Sequence, residues 1–187
     1  KMGFALAEAC AERGAEVTLV AGPVSLKTHH PAIKRIDVES AGEMYQAAMT
    51  AFPSSDAAIL CAAVADYRPE NASEQKIKRE TEREMTLHLV PNPDIAASLG
   101  AIKREGQVMV GFALETNDEA THAEGKLKRK NLDFIVLNSL RDQGAGFRCD
   151  TNKITIIDNA GGVTSYPLKT KREVACDIVN KLVTLLK

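Results

Sequence analysis

The feature that most constrains the fold is a continuous apolar run at residues 57–65, which follows Ser54-Ser55-Asp56 and ends abruptly at Asp66. A run of this kind is typical of a strand in a parallel sheet that is buried on both faces. Parallel strands need crossover connections, which are usually helices. The run therefore predicts an α/β fold in which helices cover both faces of a parallel sheet.

The segments around the run keep a helix–strand rhythm. The first helix closes at Arg13-Gly14, and a β-branched strand follows at residues 16–20. Further strands are predicted at residues 33–38, 85–90, 108–112 and 134–137, and helices at residues 41–52, 93–102, 118–130 and 171–186. A long polar loop is predicted at 68–84, and a β-hairpin at 153–166 around the turn 158–162. Together these predict one domain over residues 1–187: a Rossmann-like, doubly wound, mostly parallel sheet with an antiparallel C-terminal addition.

Composition excludes several classes of protein. The chain has 187 residues, of which 44% are hydrophobic and 26% charged, as expected for one globular domain. A net charge of −1 gives no electrostatic reason to expect a nucleic acid or a membrane surface as partner. The four cysteines lack zinc-site spacing and indicate no disulfide framework, and Cys10 and Cys61 are expected to be small buried hydrophobes. We therefore expect a cytoplasmic protein.

Polar residues follow the predicted strands where a doubly wound sheet binds its ligands. Asp66 comes directly after the apolar run, where a carboxylate can accept ribose hydroxyls or hold a metal–phosphate complex, or simply stabilise a turn. Asn92-Pro93-Asp94 precedes a helix. It could be only a helix entry, with Asn92 as cap, or its free N–H groups could face an anion or a base edge.

Two basic segments, residues 76–79 and 126–130, are also open to two interpretations. Each could be a solvated face, or each could neutralise phosphate charge beside the strand ends. The histidines show no metal-ligand spacing, and no GxSxG, HExxH or P-loop motif occurs. We therefore predict no metal held by protein ligands alone.

Taken together, the segments resemble phosphopantothenate–cysteine ligase, the C-terminal half of the bifunctional bacterial coenzyme A biosynthesis protein. The matching segments appear in the family's order: Ala62-Ala63-Val64-Ala65-Asp66-Tyr67, Lys76-Ile77-Lys78, Asn92-Pro93-Asp94-Ile95, Gly111-Phe112-Ala113-Leu114-Glu115-Thr116, and Lys126 through Lys130 followed by Asn131-Leu132-Asp133. They cover most of the chain.

The resemblance implies a two-step ligase reaction in coenzyme A biosynthesis. The carboxylate of 4'-phosphopantothenate attacks the α-phosphate of CTP, which gives an acyl-cytidylate and pyrophosphate. The amine of L-cysteine then displaces CMP and forms the amide. Magnesium is expected with the triphosphate, and the residues alone do not distinguish CTP from ATP.

The resemblance also implies roles for individual residues. Lys76, the first lysine of a KxK lid, would be catalytic and would reach the reacting phosphates, and Lys78 would assist it. The nucleotide-binding residues would be Asp66, Lys76, Asn92, Pro93, Asp94, Ile95, Phe112, Lys126 and Lys130.

Other implications concern what surrounds the chain. The family has a first strand and a loop closing in Ser-Ser-Gly just before the position of Lys1. The resemblance therefore predicts that this strand and loop are missing here, together with a fused or associated flavin decarboxylase half that would carry FMN. It also implies a homodimer.

Two other functions fit the sequence less well. The helix and strand within residues 2–20 also suit a short-chain NAD(P)-dependent oxidoreductase. However, the second strand ends in Ala21-Gly22-Pro23 without an acidic residue for the adenosine ribose, and no tyrosine is followed four positions later by lysine. A non-enzymatic module that binds acidic partners is disfavoured by the neutral net charge.

Overall fold

The structure is a computed structural model that describes residues 1–71, 73, 75–76, 85–115, 119–139 and 149–186. The helices are α1 (Met2–Ala11), α2 (Ala41–Ala51), α3 (Ile95–Ile102), α4 (Glu119–Arg129) and α5 (Lys171–Leu185), and a short 3-10 helix (Phe52–Ser54) follows α2. The strands are β1 (Val17–Ala21), β2 (Ile33–Asp37), β3 (Ala57–Leu60), β4 (Tyr67–Pro69), β5 (Leu89–Pro91), β6 (Val108–Glu115), β7 (Phe134–Ser139), β8 (Thr151–Asp158) and β9 (Val163–Thr170).

A five-stranded sheet of order β3-β6-β7-β8-β9 forms the centre of the fold. The β3–β6 and β6–β7 pairs are parallel, whereas β7–β8 and β8–β9 are antiparallel. Strands β1 and β2 form a separate parallel pair. The predicted α/β class, with mostly parallel strands followed by an antiparallel C-terminal hairpin, is confirmed.

Alternate residues of the central strands enter two different hydrophobic cores, as the period of two along a strand requires. Val110 and Val136 point to the face covered by α1 and α5. Met109 and Ile135 point to the face covered by α3 and α4. All four side chains are at most 1% exposed. The central strands are therefore apolar on both faces, which is why they appear as continuous apolar runs in the sequence.

The apolar run that predicted a central strand is only partly a strand. β3 ends at Leu60, which pairs with Gly111 of β6. Its four residues are half-buried, and in the described part of the chain β3 pairs with β6 alone. The alanines at 62, 63 and 65 continue the apolar pattern but are exposed. The prediction of a nine-residue strand buried on both faces was wrong, because small apolar residues do not by themselves show where pairing stops.

Two short strands form what we call the arm, β4 with β5. They pair antiparallel, with Arg68 opposite Val90. The sequence placed Arg68 in a loop and predicted a strand at 85–90, and both assignments were wrong: β4 occupies Tyr67–Pro69, and β5 starts only at Leu89. A strand of three residues is too short to show a period. Residues 77–84 of the predicted loop lie outside the described residues.

No helix in the described part of the chain is long and apolar enough to cross a lipid bilayer.

Candidate functional site

The candidate site lies where the chain leaves β3 and where it enters α3. Two hydrogen bonds join these segments: the Asn92 backbone N–H donates to the Asp66 carbonyl at 2.8 Å, and Asn92 Nδ2 donates to the Ala65 carbonyl at 2.9 Å. The motif that ends the apolar run is therefore held directly against the motif that opens α3. The sequence predicted that both would lie at one edge of the sheet, and the structure brings them into contact.

Asn92 is not the helix cap that one interpretation of the sequence suggested. The N-cap of α3 is Asp94, whose Oδ1 accepts a hydrogen bond from the Ala97 backbone N–H at 3.1 Å. The side-chain amide of Asn92 instead donates to the Ala65 carbonyl in the loop after β3. Its Oδ1 also accepts a hydrogen bond from Arg68 at 3.3 Å. Asp94 thus caps α3, and Asn92, two residues earlier, connects the start of the helix to the loop after β3.

Asp94 also forms an ion pair with Lys130, in which Oδ2 lies 3.0 Å from Nζ. Partial burial of the Asp94 carboxyl favours its neutral form, but hydrogen bonds from the Ala97 amide and from Lys130 outweigh burial, so its pKa lies below the ordinary value. Asp94 is therefore ionised at neutral pH. Two residues predicted separately for the nucleotide site, Asp94 and Lys130, are neighbours in space.

A close contact between helices sets the position of Lys130. A Cβ atom added to Gly100 of α3 would lie 2.2 Å from the Lys130 carbonyl oxygen, so only glycine permits this approach. Asn131, in the left-handed region with φ of 52°, ends α4 and donates from Nδ2 to the Gly100 carbonyl at 3.0 Å. Lys126 lies one turn before Lys130 and is half-buried. At this spacing Lys126 and Lys130 lie on one side of the helix and its C-terminal end.

Two predicted apolar site residues lie on opposite faces of the sheet. Ile95 packs against the core under α3 and α4, whereas Phe112 packs against the core under α1 and α5. Both are half-buried. Pro93 is exposed beside Asp94. Phe112 is therefore separated by the sheet from the Asp94–Lys130 pair, which the motif order in the sequence did not indicate.

Lys76 is exposed, and no hydrogen bond or ion pair ties its ammonium group to the other residues that the structure describes. Asp66 is also exposed, and its carboxylate is likewise unpaired within the described ranges. Lys78 lies outside the described residues. Within the residues that the structure describes, the Lys76 ammonium group and the Asp66 carboxylate thus remain available to a ligand.

Sequence reasoning missed Arg68. Its NH1 donates to the Pro91 carbonyl at 2.8 Å as well as to Asn92 Oδ1, so one guanidinium bridges the two strands of the arm at their base. The only signal in the sequence was its position two residues after Asp66. That position does not indicate any hydrogen-bond partner until the pairing of β4 with β5 is known.

The Cys61 thiol lies just after β3 and packs against the α1–α5 core. Burial raises its pKa to about 11, and nearby positive charge opposes this effect only in part. Burial also raises the pKa of the Cys10 thiol. The expectation that these cysteines behave as small hydrophobes agrees with their contacts, although each keeps partial exposure.

In the portions of the chain that the structure describes, no three His, Cys, Asp or Glu side chains come together as metal ligands.

This chain is similar in sequence to several known proteins. A protein named cysteine/cysteine sulfinic acid decarboxylase, from an unknown prokaryotic organism, is 56% identical over 100% of this chain and 52% of its own length. The coenzyme A biosynthesis bifunctional protein CoaBC of Vibrio parahaemolyticus is 46% identical over 100% of this chain and 46% of its own length. The chain thus spans about half the length of these curated relatives.

Among solved structures, the C-terminal domain of coenzyme A biosynthesis bifunctional protein CoaBC is similar, with a TM-score of 0.81 and 35% identity, and the match covers 98% of this chain and 81% of that one. The resemblance stated from the sequence motifs is thereby confirmed. The sequence also matches the family described as DNA/pantothenate metabolism flavoprotein C-terminal domain over residues 1–186. The chain belongs to that family.

Proposed function

We propose that this domain is the ligase that joins 4'-phosphopantothenate to L-cysteine in coenzyme A biosynthesis. The observation that carries the proposal is the joined pair of motifs: Asp66 held against Asn92, and Asp94 paired with Lys130, at the edge where a doubly wound sheet binds ligands. The relatives named CoaBC align with this chain over its whole length. Their name supports a role in coenzyme A biosynthesis.

The proposed reaction has two balanced steps. A carboxylate oxygen of phosphopantothenate bonds to the α-phosphorus of CTP while the bond to pyrophosphate breaks, which gives an acyl-cytidylate. The amine nitrogen of cysteine then bonds to the acyl carbon, the bond to CMP breaks, and the amine loses a proton. A free carboxylate is a poor acyl donor, so CMP serves as the leaving group. The protein supplies orientation and charge neutralisation.

Lys76 is the proposed catalytic residue. Its exposed ammonium group would approach the reacting phosphates and stabilise the negative charge that develops there. Lys78, outside the described residues, would assist. Lys126 and Lys130 would line the triphosphate site from α4, with Lys130 already oriented by Asp94. In this division Lys76, which has no anionic partner among the described residues, would act at the reacting centre.

The remaining proposed nucleotide contacts are those that the family resemblance implies. Asp66 would accept hydrogen bonds from the ribose, while Pro93, Asp94 and Ile95 would shape the pocket beside it. We propose that Asn92 contributes by fixing Asp66, because its own amide is used within the protein. Phe112 would approach the nucleotide from the opposite face of the sheet.

Magnesium fits this donor set as a companion of the triphosphate. Mg²⁺ prefers oxygen ligands and is commonly held by one or two carboxylates plus substrate phosphates. Asp66 offers an exposed carboxylate, whereas that of Asp94 is occupied by Lys130 and the helix cap. When bound, the ion would neutralise phosphate charge. We propose CTP as the nucleotide on the family resemblance; ribose and phosphate contacts of this kind would serve ATP equally.

We further propose a homodimer that covers the arm. Tyr67, Leu89, Met85 and Leu87 are 51% to 62% exposed although they are large and apolar. A cluster of this kind is typical of an association surface. A second copy of the chain is the proposed occupant. The substitution Leu87→Asp should shift the sedimentation of a dimer to that of a monomer, and a wild-type chain that sediments as a monomer would rule the dimer out.

The resemblance also predicts a strand and a Ser-Ser-Gly loop before Lys1. We propose that this strand pairs between β1 and β3, since each has one free edge among the described strands and each is parallel to its partner. A flavin decarboxylase half with bound FMN would precede it. We propose a cytoplasmic location, where thiols stay reduced.

The test is pyrophosphate release from CTP with and without phosphopantothenate, before and after adding cysteine. The protein used includes the strand and loop predicted before Lys1. Release that depends on phosphopantothenate, with amide formed only after cysteine is added, would support the ligase. A folded protein that releases no pyrophosphate with CTP or ATP would refute it.

A further inference from the structure

We infer that Arg68 is a positioning residue of the site: it holds the Asn92 amide in the orientation that fixes the Asp66 loop. The inference rests on the proposed function and deepens it. Arg68 itself is exposed and contacts no other residue of the predicted nucleotide set except Asn92.

The first step is the orientation of the Asn92 side chain. An asparagine amide has one acceptor end and one donor end. Its Oδ1 faces the guanidinium of Arg68 at 3.3 Å, and its Nδ2 faces the Ala65 carbonyl at 2.9 Å. A guanidinium can only donate, so it selects the orientation in which oxygen faces Arg68 and nitrogen faces Ala65.

The second step is the anchoring of Arg68. Its NH1 donates to the Pro91 carbonyl at 2.8 Å, and its backbone pairs with Val90 across the arm. The guanidinium therefore cannot move away from Asn92 without losing a charged hydrogen bond. Hydrogen bonds therefore link Arg68 to Pro91 of β5, Arg68 to Asn92, and Asn92 to Ala65 at the base of the arm.

The third step is the consequence for Asp66. This residue is exposed and lies between the end of β3 and the start of β4, outside both strands. Asn92 holds this segment through two hydrogen bonds: its side-chain amide donates to the Ala65 carbonyl, and its backbone N–H donates to the Asp66 carbonyl. Losing the Arg68 contact would remove the donor that holds Asn92 Oδ1, weaken the Nδ2 bond to the Ala65 carbonyl and so loosen the loop that carries Asp66.

Folding of the arm does not require the guanidinium. The antiparallel pairs Tyr67 with Pro91 and Pro69 with Leu89, and the hydrogen bond from the Glu70 N–H to the His88 carbonyl at 2.9 Å, hold the backbone independently. A substitution at Arg68 should thus change the site and leave the fold.

The test compares Arg68→Met with Arg68→Lys and with Arg104→Met. Arg104 is a matched control: it is also an exposed arginine that donates to a proline carbonyl, Pro53 at 2.7 Å, but it lies at the opposite edge of the sheet, just before β6. We expect Arg68→Met to lower kcat/KM for pyrophosphate release roughly 10- to 100-fold, the scale of a small misplacement at a reacting centre. Arg68→Lys should retain part of the activity, because an ammonium group can still donate to Asn92.

A second readout does not depend on activity. The side-chain NH₂ signals of Asn92, identified by their loss in Asn92→Asp, should shift in Arg68→Met and stay unchanged in Arg104→Met. Unchanged Asn92 signals in Arg68→Met, wild-type kinetics in that variant, or an equal kinetic loss in Arg104→Met would each overturn the inference. A wild-type protein that releases no pyrophosphate would refute the ligase instead, and the NMR comparison would still decide the role of Arg68.

Discussion

The central sheet and the arm differ in what holds them together. In the central strands Phe134, Val136 and Met109 are completely buried, whereas in the arm Tyr67 is 61% exposed and Leu89 is 51% exposed. The sheet is stabilised by apolar burial on both faces, and the arm by backbone pairing of two short exposed strands. Two residues proposed for the nucleotide site, Asp66 and Asn92, adjoin the arm. We therefore expect stability and the proposed function to depend on different parts of the molecule, and this separation can be tested.

The largest effect is expected in the central sheet. Phe134→Ala removes a completely buried ring of β7 from the core that α1 and α5 cover, and it should lower the free energy of unfolding by about 3–5 kcal/mol. Urea denaturation measures the loss. The matched change in the arm, Leu89→Ala, should cost less than about 0.5 kcal/mol because its side chain is half-exposed. Equal losses at the two positions would contradict the comparison.

Turnover should instead depend on an exposed residue of the proposed site whose substitution leaves stability unchanged. Lys76→Gln removes a cation proposed to neutralise the reacting phosphates and should lower turnover by about 100- to 1,000-fold. Its melting temperature should stay at the wild-type value, since the side chain is exposed. The control is Lys34→Gln, an exposed lysine on β2, which should leave turnover unchanged. Wild-type-like turnover in Lys76→Gln, in protein with its preceding loop, would reject the assigned role.

A smaller effect on stability is expected where α3 contacts the end of α4. Gly100→Ala places a methyl group against the Lys130 carbonyl and should cost about 1–3 kcal/mol by forcing α3 and α4 apart. Gly125→Ala in α4 meets no atom within 4 Å and should stabilise the helix by up to about 1 kcal/mol. Thermal denaturation of the two variants compares them directly. A neutral Gly100→Ala would show that the helix contact is not tight.

The smallest effect concerns the Asp94–Lys130 pair. Asp94→Asn keeps a good N-cap but loses the ion pair, whose carboxylate is half-exposed, and should cost less than about 1 kcal/mol near pH 7. Because the pKa of Asp94 is lowered by folding, its contribution is present above the ordinary value of 3.8 and is lost as the pH falls through the folded value. The difference between wild type and variant in urea denaturation should therefore shrink below pH 3.8. A difference that grows on acidification would contradict this sign.

Much of the fold could be predicted because the central strands encode it strongly. The runs containing Val110 and Val136 are apolar at every position, and the helices between them keep a regular period. The end of β3 could not be predicted, since the alanines after Leu60 suit a strand or an exposed segment equally well. The arm was missed because three-residue strands contain no measurable alternation.

The site was predictable as a set of motifs but not as a set of contacts. Asp66 and Asp94 could be placed at one edge by the rule for strand ends, and the structure agrees. Which of Asn92 and Asp94 caps the helix depends on where α3 starts, and helix ends are poorly specified by sequence. The Arg68 bridge depends on the register of the arm, which only the folded backbone defines.

The buried thiol of Cys61 has a chemical consequence for a protein proposed to make an activated acyl group. With a pKa of about 11, only about one thiol in ten thousand is ionised at neutral pH, and the thiolate is the nucleophilic form. Cys61 directly precedes the segment that leads to Asp66. Partial burial thus keeps the Cys61 thiol a weak nucleophile, which suits a protein proposed to form an activated acyl group for a free amino acid.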